Sequence, residues 1–185
     1  MTSRFRLRDA ARSLYAGGVI AYPTEAVYGL GCLPRVESAV RKLLQLKQRQ
    51  PEKGLILIAA DFSQLENFVI PLEDDAMSPI LSAWPGPHTW LLPAQPWVPD
   101  WVRGKHKTLA VRVTDHPIAS ALCRTANSPL VSTSANLSSR PPARSAFTVR
   151  QQFGDSIDCI VSGPLGNLKN PTPIRDAASG KTLRM

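Results

Sequence analysis

Apolar residues follow two different spacings along this chain. In several segments they recur every three or four positions, as on the buried face of an amphipathic helix. Those segments are 8–16, 37–48, 62–69, 74–83, 116–125 and 147–153. Elsewhere they form short uninterrupted runs of the kind found in buried strands. Those runs are 19–22, 55–60, 89–92, 109–113, 130–132 and 159–161. Because helices and strands interleave from one end to the other, the pattern predicts an α/β fold.

The composition is that of a folded protein, with 43% hydrophobic and 19% charged residues in a chain of 185. This length fits a single domain over residues 1–185. No apolar run approaches the length of a membrane-spanning helix, and Met1–Asp9 leads into no signal-peptide core. Cys32, Cys123 and Cys159 are too widely spaced for a disulfide framework or a zinc site. We therefore expect a cytoplasmic protein with reduced thiols and no membrane contact.

The basic residues are unevenly distributed. The formal net charge is +8 at pH 7. Lys and Arg outnumber Asp and Glu by six in residues 1–50 and by seven in residues 101–150, whereas acidic residues are in excess by six in residues 51–100. Two basic blocks of this kind favour a polyanionic partner such as a nucleotide or RNA. Charge that only serves solubility is the alternative.

Four polar clusters each follow an apolar run, which is where α/β folds place their ligands. The first comprises Thr24 and Glu25, followed by Gly29-Leu30-Gly31. It brings together a hydroxyl, a carboxylate and a flexible backbone. The alternative is a capped turn, with Thr24 as the N-cap of a helix and nothing bound. The chain contains neither a P-loop nor a dinucleotide fingerprint, and its three histidines lack the spacing of metal ligands.

The second cluster is Lys47 with Arg49, at the end of a predicted helix. These two cations could clamp phosphate oxygens or could simply complement the helix dipole. The third is Arg112, which follows three apolar residues within a strand and therefore needs a partner. A substrate carboxylate is one candidate partner, and Glu25 or Asp115 is the structural alternative.

The fourth cluster lies at 130–138, where small hydroxyl and amide side chains follow a strand. Such groups suit phosphate, ribose or amino-acid backbone contacts, and an ordinary Ser/Thr/Asn turn is the alternative.

Taken in order, six segments resemble the YrdC family, and more narrowly its short bacterial members. The segments are YPTEAVYGLG (22–31), KQRQPEKGLILIAA (47–60), WPGPHTWLLPA (84–94), LAVRVTDHP (109–117), PLVSTSANLSSRPP (129–142) and NPTPIRDA (170–177). Each motif is weak alone, but the ordered set is specific and covers about residues 8–184. The chain departs from the family pattern at Gln50, Gly54, Ile58 and His88.

The resemblance implies a YrdC-like twisted mixed sheet with flanking helices and a large basic concave surface. It implies formation of L-threonylcarbamoyl-AMP and pyrophosphate from L-threonine, bicarbonate and ATP, with Mg²⁺ bound through the phosphates and no metal held by the protein. The product would serve threonylcarbamoyladenosine modification of tRNAs reading ANN codons, through a separate transferase complex. Weak tRNA binding is also implied.

The resemblance also assigns roles to individual residues. The residues implied in catalysis are Lys47, Arg49, Ser134 and Asn136. The implied ATP contacts are Lys47, Arg49, Thr108, Asn136, Arg144 and Arg184. The implied threonine contacts are Thr24, Arg112, Ser134 and Thr172. Two other readings stay open: a non-catalytic RNA-binding module in tRNA or ribosome maturation, and a carbamoyl-adenylate-forming relative that uses carbamoyl phosphate.

Overall fold

The computed structural model describes residues 3–137, 140–170 and 172–184. The helices are α1 (Arg4–Tyr15), α2 (Glu37–Lys47), α3 (Asp74–Ser82), α4 (Asp100–Arg103), α5 (Pro117–Thr125) and α6 (Ala146–Phe153). The strands are β1 (Ile20–Pro23), β2 (Tyr28–Gly31), β3 (Ile56–Ala59), β4 (Thr89–Pro93), β5 (Thr108–Val113), β6 (Leu130–Ser134), β7 (Cys159–Ile160), β8 (Ile174–Asp176) and β9 (Thr182–Arg184).

The strands form one mixed sheet in the order β7-β1-β2-β6-β3-β5-β4-β8-β9. Strand pairs β1–β7, β3–β5 and β4–β8 are parallel, and the other neighbours run antiparallel. Helices flank this twisted sheet, which confirms the predicted α/β class. The order places β6, from the second half of the chain, between β2 and β3. Residues from distant parts of the sequence therefore meet at the centre of the sheet.

Apolar side chains pack on both faces of the sheet. Leu57 belongs to the larger hydrophobic cluster, which includes the buried face of α2, and Ile58 to the smaller one under α1 and α5. Successive strand residues point to opposite faces, so one continuous apolar run supplies both clusters. This is why the runs predicted as buried strands show no polar alternation. Within the described residues no helix has the length and apolar character that crossing a bilayer requires.

The predicted helix over 62–69 is wrong. Only a 3₁₀ turn forms there, Phe62–Gln64, and the Asp61 side chain caps it by accepting from the Ser63 amide. The Gln64 side chain bonds the backbone of Ala60 and Cys123, and Val69 bridges to Ala94 beyond β4. Leu65, Phe68 and Val69 are buried in the larger hydrophobic cluster although no helix forms, so their spacing resembles that of a helix without being one.

The Gly29-Leu30-Gly31 motif is a strand rather than a flexible loop. It lies in β2, which the apolar pattern missed together with β8, β9 and α4. A Cβ at Gly31 would lie 2.5 Å from the Val131 carbonyl oxygen and 2.8 Å from the Tyr22 ring. The glycine therefore allows two backbones and an aromatic ring to approach closely, which no larger residue permits at this position.

Candidate active site

A cavity of about 160 Å³ opens near the middle of the sheet. Its walls come from the β1–β2 turn, from β2, β3, β5 and β6, and from the loops that carry Arg49, Pro142 and Thr172. Five of the residues to which the resemblance assigned a role line it: Thr24, Arg49, Arg112, Ser134 and Thr172. Five separate segments of the chain therefore converge on one space, in part because β6 lies between β2 and β3.

Lys47 ties two of the motifs together. Its helix ends there because Gln48 adopts a left-handed conformation with φ 48°. The Lys47 ammonium donates to the carbonyl oxygens of Ser134 (2.8 Å) and Asn136 (2.5 Å), and to the Asn136 side-chain oxygen at 2.8 Å. The Ser134 hydroxyl donates to the same side-chain oxygen at 2.7 Å. One cation thus organises the segment that follows β6.

The Lys47 side chain is buried, with only 7% of the residue exposed. Burial, together with the nearby positive charge of Arg49, lowers the pKa of Lys47 to about 8. Arg49 lines the cavity and donates to the Gly54 carbonyl oxygen at 2.8 Å. Gly54 has φ 64°, and a Cβ there would lie 2.7 Å from the Arg103 carbonyl oxygen. The departure from the family pattern at Gly54 thus coincides with a conformation and a close contact that favour glycine.

Arg112 lies on the cavity face of β5, whereas Val111 and Val113 belong to the larger hydrophobic cluster. Its guanidinium is 3.2 Å from a Glu25 carboxylate oxygen and donates to the Thr172 hydroxyl at 2.5 Å. Glu25, rather than the exposed Asp115, is the structural partner. Among the described residues the Arg112 Nε has no hydrogen-bond partner. The guanidinium therefore keeps one unused N–H donor, on a nitrogen that is itself buried.

Glu25 is a functional candidate that the sequence assignment left out. Only 4% of the residue is exposed, and its carboxylate accepts from the Thr114 hydroxyl in addition to facing Arg112. Its backbone is held by Leu168, whose amide donates to the Glu25 carbonyl oxygen at 3.1 Å. The signal was present in the sequence, because an arginine in a strand interior demands a buried anion.

Thr24 caps no helix, contrary to the alternative considered from the sequence. Its hydroxyl donates to the Val27 carbonyl oxygen at 2.7 Å and closes the turn between β1 and β2. The oxygen lone pairs of a hydroxyl so engaged can still accept a hydrogen bond. Thr24 lines the cavity beside Glu25 and Gly29, so its hydroxyl is placed to meet a donor on a ligand.

A segment at 163–168 packs against this turn and closes one side of the site. The Tyr28 hydroxyl donates to the Gly163 carbonyl oxygen at 2.8 Å and accepts from the Gly163 amide. The His116 Nε2 faces the Pro164 carbonyl oxygen at 3.1 Å, while Nδ1 accepts from the Ala119 amide at the start of α5. Burial lowers the pKa of His116, which keeps the ring neutral and suited to this bridging role. His116 is thus structural, as its spacing indicated.

Of the residues assigned to ATP whose side chains are described, Arg49 alone lines the cavity, while Lys47 and Asn136 lie beside it through their contacts to Ser134. Thr108 begins β5 on the same strand face as Arg112, four residues or about 13 Å away along the strand. Arg144 is exposed and follows Ala143, whose backbone bonds both Tyr28 and Ala135. The backbone of Arg184 pairs with Ile174 in β9, and its side chain lies outside the described part of the structure.

The residues around the cavity suit anions. Two guanidinium groups and one ammonium group stand beside the hydroxyls of Thr24, Ser132 and Ser134. Such a set can neutralise phosphate and carboxylate groups and fix their orientation. Catalysis at this site would therefore work by positioning and charge neutralisation.

The chain is similar to proteins from several sources. The profile of the Sua5/YciO/YrdC family, described as "Telomere recombination", matches residues 12–185. A threonylcarbamoyl-AMP synthase of Halorhodospira halophila is 56% identical over 183 residues, covering 99% of this chain and 96% of that protein. The protein with the same name from Nitrosococcus oceani is 53% identical over 180 residues, covering 97% of each chain.

Solved structures show the same architecture. The crystal structure of P. abyssi Sua5 complexed with L-threonine superimposes with a TM-score of 0.90 at 33% identity. The match covers 97% of this chain and 53% of the P. abyssi protein, so the present chain spans about half of that protein's length.

Proposed function

Because the chain belongs to the Sua5/YciO/YrdC family, we propose that it forms L-threonylcarbamoyl-AMP and pyrophosphate from L-threonine, bicarbonate and ATP. The observation that carries the proposal is the convergence of Lys47, Ser134 and Asn136 beside a cavity that also contains Arg49 and Arg112. The relatives that match over nearly the whole chain are named for this activity, and a related structure contains L-threonine.

The reaction needs little covalent participation by the protein. The threonine amine forms a bond to the carbon of bicarbonate, water leaves, and an N-carboxylate results; with carbon dioxide the same bond forms and the amine releases a proton instead. One oxygen of that carboxylate attacks the α-phosphorus of ATP, a new P–O bond forms, and the bond to the β-phosphate oxygen breaks as pyrophosphate leaves. Phosphorus displacements of this kind are accelerated mainly by alignment and by neutralisation of charge. The cavity offers the groups that these two tasks require.

In this proposal Arg112 binds the threonine carboxylate. The geometry supports this role because Arg112 lines the cavity and its guanidinium is held in place by Glu25 and Thr172. A bidentate fork matches a carboxylate better than a lysine ammonium does. Thr24 and Ser134, which line the same cavity, are proposed as further contacts to threonine or to the nascent carbamate.

Lys47 and Arg49 are proposed to contact the triphosphate, and Asn136 to bind ATP. Lys47 already lies within hydrogen-bond distance of Ser134 and Asn136, so a phosphate reaching that group would meet a prearranged cluster. We propose that Thr108, Arg144 and Arg184 contact other parts of the nucleotide. The cavity of about 160 Å³ is too small to enclose a whole nucleotide, so part of ATP would extend beyond it.

Magnesium is proposed to enter as part of the MgATP substrate. Within the described residues no three acidic, histidine or cysteine side chains are grouped as metal ligands. Glu25 is the carboxylate that lines the cavity, and it is engaged by Arg112 and Thr114. Because Glu25 already has these two partners, we propose that the magnesium ion is coordinated by phosphates and water. The product would pass to a separate transferase complex that modifies tRNAs reading ANN codons.

The proposal is tested by incubating the purified protein with MgATP, bicarbonate and labelled L-threonine. We expect a labelled acyl-adenylate together with an equal amount of pyrophosphate. Omitting bicarbonate, or replacing L-threonine by L-valine, is expected to remove both products. Product formation from carbamoyl phosphate without threonine would support the carbamoyl-adenylate alternative and contradict the proposal. The absence of any adenylate in every arm would also contradict it.

The lowered pKa of Lys47 predicts a pH dependence of ATP binding. Below about pH 8 the ammonium is charged and can pair with phosphate, and above it the neutral amine cannot. The dissociation constant for MgATP is therefore expected to rise by up to about tenfold per pH unit above this value. Calorimetric titration in a series of buffers checks this. Lys47→Arg keeps its charge throughout and should bind with a flat profile, and a flat wild-type profile would contradict the prediction.

A further inference from the structure

Thr89 is a buried polar residue near the cavity to which neither the resemblance nor the proposed reaction assigns a role. It begins β4, and the residue is completely inaccessible to solvent. It does not itself line the cavity. A hydroxyl group in such a position costs free energy unless it is hydrogen-bonded, so its partner in the structure indicates what the residue does.

The strand register places Thr89 beside Arg112. Strands β4 and β5 run antiparallel with Trp90 opposite Val111, so the residue before Trp90 lies next to the residue after Val111. Trp90 and Val111 belong to the larger hydrophobic cluster. Because side chains alternate along a strand, Thr89 and Arg112 point to the other face of the sheet, which is the face of the cavity.

Thr89 also holds the part of the chain that carries Thr172. Its amide donates to the Pro173 carbonyl oxygen at 3.3 Å, and it lies opposite Ile174 in the parallel pair formed by β4 and β8. The hydroxyl oxygens of Thr89 and Thr172 are 3.3 Å apart. Thr172 lines the cavity and accepts a hydrogen bond from Arg112 at 2.5 Å. Thr89 thus contacts both the backbone and a side chain of this part of the cavity wall.

The direction of the hydrogen bond between the two hydroxyl groups follows from the partners available to each. A hydroxyl group donates one hydrogen bond and accepts up to two. Among the described residues, the Thr172 hydroxyl is the one partner of the Thr89 hydroxyl, so the buried Thr89 proton has no other acceptor. Thr89 therefore donates and Thr172 accepts. Together with the bond from Arg112, this fills both acceptor positions of Thr172.

We propose that Thr89 is a positioning residue that fixes the Thr172 hydroxyl as a hydrogen-bond donor to the carboxylate of the bound amino acid. No described residue accepts the Thr172 proton, and the cavity is the side on which a ligand can supply an acceptor. Arg112, which is proposed to bind the same carboxylate, lies beside it. The inference rests on the proposed function, which places L-threonine in the cavity. Without the Thr89 hydroxyl, Thr172 would be free to turn its proton elsewhere, and a preorganised donor would be lost.

The test measures the dissociation constant for L-threonine by calorimetric titration of the full chain. Thr89→Val, which keeps the shape of the side chain and removes its hydroxyl, is expected to raise this constant by about 5- to 20-fold. Thr89→Ser keeps the hydroxyl and should bind within about threefold of the wild type. Thr125→Val is the control, because the Thr125 hydroxyl donates to the Ala121 carbonyl oxygen within α5 and lies outside the cavity. The control should bind like the wild type.

A double variant shows whether Thr89 acts through Thr172. Thr172→Val is expected to raise the dissociation constant by about 10- to 100-fold, because a hydrogen bond to a charged carboxylate is lost. Adding Thr89→Val to it should weaken binding by no more than about twofold further, since the two residues act as one unit. In the synthesis assay Thr89→Val should raise KM for L-threonine and leave kcat within about twofold. A residue that only stabilised the fold would lower the free energy of unfolding in urea without this pattern.

Neutron diffraction from the deuterated protein tests the hydrogen-bond direction itself, and it should show the Thr89 deuterium pointing to the Thr172 oxygen. Four results would overturn the inference: an unchanged dissociation constant in Thr89→Val, equal weakening in Thr89→Ser, additive losses in the double variant, and a Thr172 deuterium that points to Thr89. A wild-type protein that binds L-threonine but forms no adenylate would reject the proposed reaction and leave this inference standing. A wild-type protein that forms adenylate, with Thr89 variants that bind threonine normally, would reject the inference alone.

Discussion

Lys47→Met is expected to lower kcat/KM for L-threonylcarbamoyl-AMP formation by roughly 10²- to 10³-fold, the size of effect that follows removal of one preorganised donor to a developing negative charge. Methionine keeps most of the apolar volume of the lysine side chain and removes its charge. The loss has two causes. The triphosphate loses a cation, and the carbonyl oxygens of Ser134 and Asn136 lose the donor that now holds them together. The rate of pyrophosphate release provides the measurement.

The effect of Lys47→Met on the stability of the fold can be measured separately from its effect on catalysis. Half-buried carbonyl groups left without a donor are expected to lower the free energy of unfolding by about 1–3 kcal/mol, measured by urea titration. Lys42→Met is the matched control, because Lys42 lies on the same helix, pairs with Asp158 at 2.6 Å and is 39% exposed. It should retain nearly full activity. Activity of Lys47→Met within a factor of a few of the wild type would contradict the proposed role of Lys47.

Arg112→Gln is expected to raise the dissociation constant for L-threonine by roughly 100-fold, because a buried charge pair with the ligand carboxylate is lost. It is also expected to destabilise the fold by about 3–5 kcal/mol, since Glu25 would remain buried without its cation. The Glu25 carboxylate is 3.2 Å from the guanidinium and is almost completely inaccessible to solvent. Calorimetry with threonine and urea unfolding measure the two effects separately.

A double variant separates ligand binding from the ion pair. Glu25→Gln together with Arg112→Gln removes both charges, so most of the lost stability should return while threonine binding should not. Recovery of threonine affinity in the double variant would show that Arg112 serves only to neutralise Glu25. Arg112→Lys should keep the charge and much of the stability. It is nevertheless expected to bind threonine weakly, because it lacks the bidentate fork.

Most of the predicted elements could be derived from apolar spacing because burial follows a helical or strand period. The prediction over 37–48 is close to α2 (Glu37–Lys47), and the run at 109–113 to β5 (Thr108–Val113). The apolar spacing gave a wrong or missing element where tertiary packing, rather than the period of a helix or strand, determined which residues are buried. The segment 62–69 is buried without being helical, and β2 contains glycines where the Val131 backbone approaches too closely for a side chain. Strands β8 and β9, at the sheet edge, contain few apolar residues and left no pattern.

The sequence by itself determined the α/β class and the order of the polar clusters, because the period of apolar residues and the residue types in a motif are local properties. It also showed that Arg112 needed an anion, but it left Glu25, Asp115 and a ligand as alternatives. Only the tertiary structure decided that Glu25 fills this role and that Lys47 meets Ser134 and Asn136, 87 and 89 residues further along. These contacts depend on the insertion of β6 between β2 and β3 and on the register of the strands. Both are determined by pairing between strands that are far apart in the sequence, which no local pattern of residues encodes.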